Sequence, residues 1–135
     1  YKVAKDKAHR AICGLSMGGG HSFDISRRFP TKFDYIGLFS AGLHVSTTGD
    51  FRNDFYKQLQ GNEEAKTQLA TLFKNKPKLY WIGMGKTDFL YKSSADLRRY
   101  FDEKGYKYTY LETEGGHIWR NWRVYLTEFA QKIFK

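Results

Sequence analysis

Eight residues, Cys13-Gly14-Leu15-Ser16-Met17-Gly18-Gly19-Gly20, constrain this chain more than any other stretch. They set a serine in a G-x-S-x-G pattern directly behind the short apolar run Arg10-Ala11-Ile12-Cys13, and an amphipathic stretch from Met17 to Arg28 follows. Strand, tight turn and helix in that order read as a nucleophile elbow, where the serine takes a strained backbone conformation and strand and helix nearly touch. Gly14 and Gly18 are expected to supply the room. The turn would expose the Ser16 hydroxyl at the end of the strand. There the first N–H groups of the helix and its positive dipole end favour a developing oxyanion. A glycine-rich turn before a helix can also cradle a phosphate, but the lysine of a Walker loop is missing here.

The rest of the chain supplies a sheet for that elbow. Residues 1 to 9 read as the end of a helix and a connection, and the strand occupies 10 to 14. The elbow helix spans about 17 to 28 and is closed by Phe29-Pro30. Residues 33 to 40 (FDYIGLFS) read as a second buried strand with a turn at Ser40-Ala41-Gly42. An excursion over residues 43 to 62 holds a turn at Thr47-Thr48-Gly49-Asp50 and a short helix at about 54 to 59. Ala65, Leu69, Leu72 and Phe73 recur at helical spacing over 63 to 74. Residues 78 to 84 (KLYWIGM) form a third buried strand, and 92 to 104 a helix closed by Gly105, with Leu97 and Tyr100 or Phe101 inward. Residues 106 to 112 form a fourth strand at the sheet edge. A last helix over 119 to 134 carries the stripe Trp122, Leu126, Phe129 or Ala130, and Ile133. The alternation predicts an α/β fold of about four mostly parallel strands with helices on both faces.

Length and charge limit the alternatives. The 135 residues suffice for a single domain over 1–135 with its own core. No apolar run approaches the ~20 residues that span a bilayer, so no membrane partner is expected. The net charge of +9 arises from 23 Lys and Arg against 14 Asp and Glu, scattered along the chain rather than gathered in a block. That distribution reads as a solvated basic surface, with no nucleic-acid partner expected. One cysteine, Cys13, cannot form an internal disulfide.

In open α/β sheets ligands bind beyond the carboxyl ends of the strands. Ser16 follows the first strand, Asp88 the third and His117 the fourth, in the chain order Ser, Asp, His of α/β-hydrolases. Three such residues support acyl transfer. A neutral His117 takes the proton of Ser16 as the hydroxyl attacks an ester carbonyl, and Asp88 orients the imidazole and stabilises the imidazolium. The imidazole must be neutral to act, so activity is expected to fall in acid. Asp96, Asp102, Glu112 and Glu114 are the other carboxylates available for the acid role. His9 precedes a strand, His21 lies on the elbow helix, and His44 is a top-face loop residue.

These residues resemble those of a known group, the α/β-hydrolase carboxylesterases of the feruloyl and acetylxylan esterase type, with related siderophore esterases and S-formylglutathione hydrolases. The resemblance is carried by Arg10 to Gly19 (RAICGLSMGG), Gly85 to Tyr91 (GKTDFLY) and Gly115 to Arg123 (GGHIWRNWR), and it runs nearly end to end. It implies Ser16 as nucleophile, Asp88 as acid, His117 as base and the Met17 N–H as one oxyanion donor. Leu43, Phe89 and Trp119 are the candidates for substrate contact. The substrate implied is a small ester or a polysaccharide-linked feruloyl or acetyl ester, turned over without cofactor or metal.

The resemblance is to the second half of an eight-stranded hydrolase sheet. The loop that donates the second oxyanion N–H belongs to the first half, and losing such a donor costs ~10²–10³ in rate. This chain alone is therefore expected to be a weak or inactive esterase. Its first strand would become an unpaired apolar edge, predicting a homo-oligomer formed through residues 10–14. The polar segment Tyr1 to Lys7 has no signal-peptide h-region. The resemblance implies a secreted or periplasmic protein whose signal peptide would lie upstream.

Overall fold

The computed structural model describes residues 6–43, 45 and 55–134. Four parallel strands, β1 (Ala11–Leu15), β2 (Tyr35–Phe39), β3 (Leu79–Gly85) and β4 (Thr109–Thr113), lie side by side in the order β1-β2-β3-β4. Among the described residues five α-helices accompany them, α1 (Met17–Arg28), α2 (Phe55–Gln60), α3 (Glu63–Lys74), α4 (Tyr91–Lys104) and α5 (Trp119–Ala130), with a short 3-10 helix at Lys7–His9. Register is continuous across the sheet, with Cys13 opposite Gly37, Gly37 opposite Trp81, and Trp81 opposite Thr109. From residue 10 onward the predicted strands and helices are present, within a few residues at their ends, and residues 1–5 of the predicted leading segment lie outside the described residues. The turn at 47–50 and His44 lie outside the described residues.

The two inner strands are buried along both faces, as a parallel sheet covered by helices requires. One face is lined by Ile36, Leu38, Tyr80 and Ile82, which pack with Phe23 of α1, Leu59 of α2, Leu69 of α3 and Leu97 of α4. Both Tyr100 and Phe101 are buried in this core. Each large apolar side chain removed from water here contributes about 1.5–3 kcal/mol. α4 stops at Gly105, whose φ of 72° is the left-handed conformation that ends helices.

The opposite face is covered by α5 through an aromatic cluster of Tyr35, Phe39, Trp81, Tyr125 and Phe129. Two strand glycines make that cluster possible. A Cβ on Gly83 would stand 2.7 Å from the Trp81 ring and 2.9 Å from Tyr125, and one on Gly37 would stand 3.0 Å from Phe129.

The inward stripe of α5 differs from the sequence expectation. Asn121, Tyr125 and Phe129 are its buried residues, while Leu126 is 55% exposed and Ala130 is also exposed. Tyr125 rather than Leu126 turns inward because its ring meets both Phe39 and Trp81, at centroid distances of 6.2 and 5.7 Å. Among the described residues no helix is long and apolar enough to cross a membrane.

Candidate active site

The residues at the carboxyl ends of β1, β3 and β4 converge. Ser16, between β1 and α1, has φ 54° and ψ −118°, a conformation that costs a side-chain-bearing residue on the order of 1–3 kcal/mol. Backbone bonds hold it there. Its N–H donates to the Phe39 carbonyl at 2.8 Å, and its carbonyl accepts from Gly42 at 3.0 Å and Gly20 at 3.2 Å. The end of β2 thus clamps the turn from the neighbouring strand.

The glycines divide that task differently from the motif's symmetry. A Cβ on Gly14 would stand 2.2 Å from the Gly18 carbonyl oxygen, so Gly14 must be glycine for strand and helix to approach. A Cβ on Gly18 would meet nothing within 4 Å, which corrects the expectation that both pattern glycines create room with their own missing side chains. The crowded positions are Gly19, against Ala41 at 2.7 Å, and Gly20, against the Gly42 carbonyl at 2.3 Å.

His117 joins the serine to a carboxylate. Its Nε2 lies 2.9 Å from Ser16 Oγ and its Nδ1 lies 2.8 Å from Asp88 Oδ2. An ionised carboxylate only accepts, so Nδ1 carries the proton and Nε2 is left to accept from the serine hydroxyl. The Asp88 side chain is fully buried, whereas that of His117 is 20% exposed. Asp88 Oδ1 accepts from the Leu90 N–H at 2.8 Å, which fixes the carboxylate from the other side. The competing carboxylates are engaged elsewhere: Asp96 with Lys92, Asp102 with Tyr108, Glu112 with Tyr91 and Tyr110, and Glu114 with Lys86. His9 pairs with Asp6, away from the serine.

Aromatic rings grip the imidazole from two directions. Phe89 lies 4.9 Å from its centroid and Trp122 lies 5.0 Å away, edge to face. Trp122 was expected only as part of the core stripe. It also donates its indole N–H to Ser40 Oγ at 3.2 Å, tying α5 to the end of β2. Asn121, buried on the same helix, donates to the Gly116 carbonyl at 2.9 Å, one residue before His117. A polar residue in line with Tyr125 and Phe129 on the inward stripe was the signal for it.

Beside Ser16 opens a cleft of about 500 Å³ bordered by Met17, Gly20, His21, Asp24, Gly42, Phe89 and Leu90. Met17 begins α1, where N–H groups have no acceptor within the helix. Of the substrate-contact candidates, Phe89 is 77% exposed and walls the cleft. Trp119 is exposed and packs on Trp122, outside the cleft lining. Leu43 is turned into the core beside Phe23 and Leu59, and it is Gly42 before it that borders the cleft. Partial desolvation raises the pKa of the Cys13 thiol, which disfavours its thiolate even though the residue is exposed at the sheet edge. Among the described residues no three His, Cys, Asp or Glu side chains cluster as a metal site would require.

Known proteins resemble this chain along nearly its whole length. The family model described as "Putative esterase" matches residues 1–133. An acetyl esterase of Caldicellulosiruptor saccharolyticus is 27% identical over 155 residues, which cover 100% of this chain and 58% of that protein. An endo-1,4-beta-xylanase/feruloyl esterase of Xylanibacter ruminicola is 31% identical over 134 residues, or 96% of this chain and 15% of the relative. The chain therefore spans little more than half of the first relative and a small part of the second. The fold is shared with the fluorophosphonate-binding serine hydrolase F of Staphylococcus aureus, with a TM-score of 0.79 at 22% identity over 100% of this chain and 58% of that one.

Proposed function

Since the chain belongs to the esterase family, we propose that it hydrolyses carboxylic esters with Ser16 as nucleophile, His117 as general base and acid, and Asp88 as the group that orients His117. The observation that carries this is the pair of bonds to one imidazole, 2.9 Å to Ser16 Oγ and 2.8 Å to Asp88 Oδ2. As Oγ attacks the ester carbonyl, His117 Nε2 takes the hydroxyl proton, and the negative charge forming on the carbonyl oxygen faces the Met17 N–H. Collapse of the tetrahedral adduct breaks the bond to the alcohol, which leaves with the proton from Nε2. Water then attacks the acyl-serine by the same route, releasing the acid and restoring Ser16.

Acetyl and feruloyl esters of plant polysaccharide are the substrate classes we assign, because the two relatives carry those names and the cleft beside Ser16 is walled by Phe89 and Leu90. The test is hydrolysis of 4-nitrophenyl acetate and methyl ferulate by this chain and by Ser16→Ala and His117→Ala. Each variant is expected to lose about 10⁴-fold or more in kcat. Equal turnover in wild type and Ser16→Ala would sink the assignment.

An alternative role is favoured by the position of β1 at the sheet edge, where β2 is its one neighbour among the described residues. Here the chain self-associates through the free side of β1 and is catalytically impaired, because the second oxyanion N–H comes from a part of the hydrolase sheet these residues do not supply. Slow turnover by this chain, rising in a version extended upstream, would favour it.

A further inference from the structure

At the end of the sheet opposite Ser16, the residues leading into β3 and β4 enclose a second cleft, of about 640 Å³. Its walls are Ala70, Phe73 and Lys74 at the end of α3, Lys76 and Pro77 before β3, and Gly105, Tyr106 and Lys107 between α4 and β4. Asp88 and His117 follow the other ends of those strands. The seven residues of β3 put about 20 Å between the two clefts, so this one takes no part in the chemistry at Ser16.

Its charge is one-sided. Lys74, Lys76 and Lys107 line it, and no carboxylate does. Four other lysines sit against acids, Lys7 with Asp34, Lys66 with Glu63, Lys86 with Glu114 and Lys92 with Asp96, whereas the three in the cleft are exposed. Two helix C-termini, of α3 and α4, point at the cleft, and each carries the equivalent of about −0.5 charge. Three lysines exceed that by about two positive charges. Between them Phe73 and Tyr106, stacked on each other at 4.3 Å and 4°, supply an aromatic border. A basic cleft with an aromatic border suits a ligand whose body is a sugar ring and whose substituents are carboxylates.

We propose that this cleft binds uronate-bearing polysaccharide chains and holds the enzyme on its substrate polymer. The choice of a polysaccharide over another polyanion rests on the esterase assignment above, while the binding itself is read without any turnover. Retardation in native gels containing glucuronoxylan, with neutral arabinoxylan as comparison, is measured for Ser16→Ala protein with and without Lys74→Ala, Lys76→Ala and Lys107→Ala. A matched control carries Lys32→Ala, Lys57→Ala and Lys132→Ala.

Glucuronoxylan alone is expected to retard the protein. Affinity should fall as salt rises from about 50 to about 200 mM, because the contacts of exposed charges are screened. The cleft variant should lose the retardation and the control keep it. Equal loss in both triple variants would reduce the effect to net charge and overturn the proposal. Absence of retardation by glucuronoxylan, or equal binding of arabinoxylan, would do the same. Binding of a random-sequence DNA duplex more tightly than glucuronoxylan, lost with the same three lysines, would reassign the cleft to nucleic acid.

Discussion

Asn121 donates its side-chain amide to the Gly116 carbonyl at 2.9 Å, and through that bond α5 holds the loop that carries His117. The amide lies in a gap left by Gly85, whose Cβ would stand 3.0 Å from Asn121 Nδ2 and 2.4 Å from the Gly115 carbonyl oxygen. Helix, strand end and loop therefore meet at one hydrogen bond. Removing the donor leaves the Gly116 carbonyl only the Ile118 N–H, at 3.0 Å within the loop itself, and frees the loop from α5. Asn121→Ala is expected to lower kcat by about 10–100-fold with KM little changed, since small misplacements of a base cost rate rather than binding. Steady-state kinetics on 4-nitrophenyl acetate, with circular dichroism to confirm folding, measures it. An unchanged kcat would show that the loop holds itself.

The elbow's glycines separate in a paired experiment. Gly14→Ala drives a methyl into the Gly18 carbonyl, which is backbone and cannot step aside. A loss of about 2–3 kcal/mol or failure to fold is expected. Gly18→Ala meets open space within α1 and gains helix propensity, so it should be neutral or stabilising by up to about 1 kcal/mol. Urea denaturation of the two variants decides. A destabilised Gly18→Ala would mean that the space beside it is needed in a way the packing does not reveal.

Strain at Ser16 makes a second pair informative. Ser16→Gly and Ser16→Ala both remove the proposed nucleophile, but only glycine adopts φ 54° without penalty. Ser16→Gly should melt higher than Ser16→Ala by about 3–5 °C, the equivalent of roughly 1 kcal/mol in a domain of this size. Coincident melting curves would show that the bonds from Phe39 and Gly42 leave the serine unstrained.

Local chemistry carried most of the architecture. The strand-turn-helix at Ser16, the stop at Gly105 and the parallel order of four strands follow from period, punctuation and chirality, all of which act over a few residues. The meeting of Ser16 with His117 was foreseeable because strand ends of a parallel sheet share one edge. What escaped was decided across the sheet. Tyr125 and Leu126 are equally apolar, and one residue is a rotation of about 100° on a helix, so only the Phe39 and Trp81 rings choose between them. The crowding at Gly20 but not Gly18 depends on where the Gly42 carbonyl runs, 22 residues later. Leu43 is buried in the same core as Phe23 and Leu59, which no pattern in 43 to 62 announces.

Acid stability should depend on Glu112. The Tyr91 and Tyr110 hydroxyls donate to its Oε1 at 2.6 and 2.8 Å, and these bonds hold its carboxyl below the ordinary value of 4.5. A carboxyl whose folded value is depressed contributes stability that is fully present above the unfolded value and is lost as pH falls through the folded one. Wild-type protein should therefore lose stability on acidification below about pH 4.5, and Glu112→Gln should show a shallower decline over the same window. Thermal melts between about pH 3 and about pH 7 supply the comparison. Parallel pH profiles for both proteins would place the dependence on another group.

The free side of β1 offers a direct test of self-association. Ser16 N–H donates to Phe39 on β2, and hydrogen-bonding direction alternates along a strand, so Gly14 and Ile12 also face β2 while Cys13 faces away. Cys13→Pro thus removes a donor from the outer edge and spares the ladder between β1 and β2, which is the position where a sheet tolerates proline. Sedimentation velocity over a hundredfold or so range of concentration should show the wild-type chain associating and Cys13→Pro remaining monomeric, since an unprotected edge pairs through such donors. If both sediment as monomers, the edge does not assemble copies of this chain. If both associate equally, the contact lies elsewhere on the surface, and the exposed Trp119 and Phe89 around the Ser16 cleft become the next residues to change.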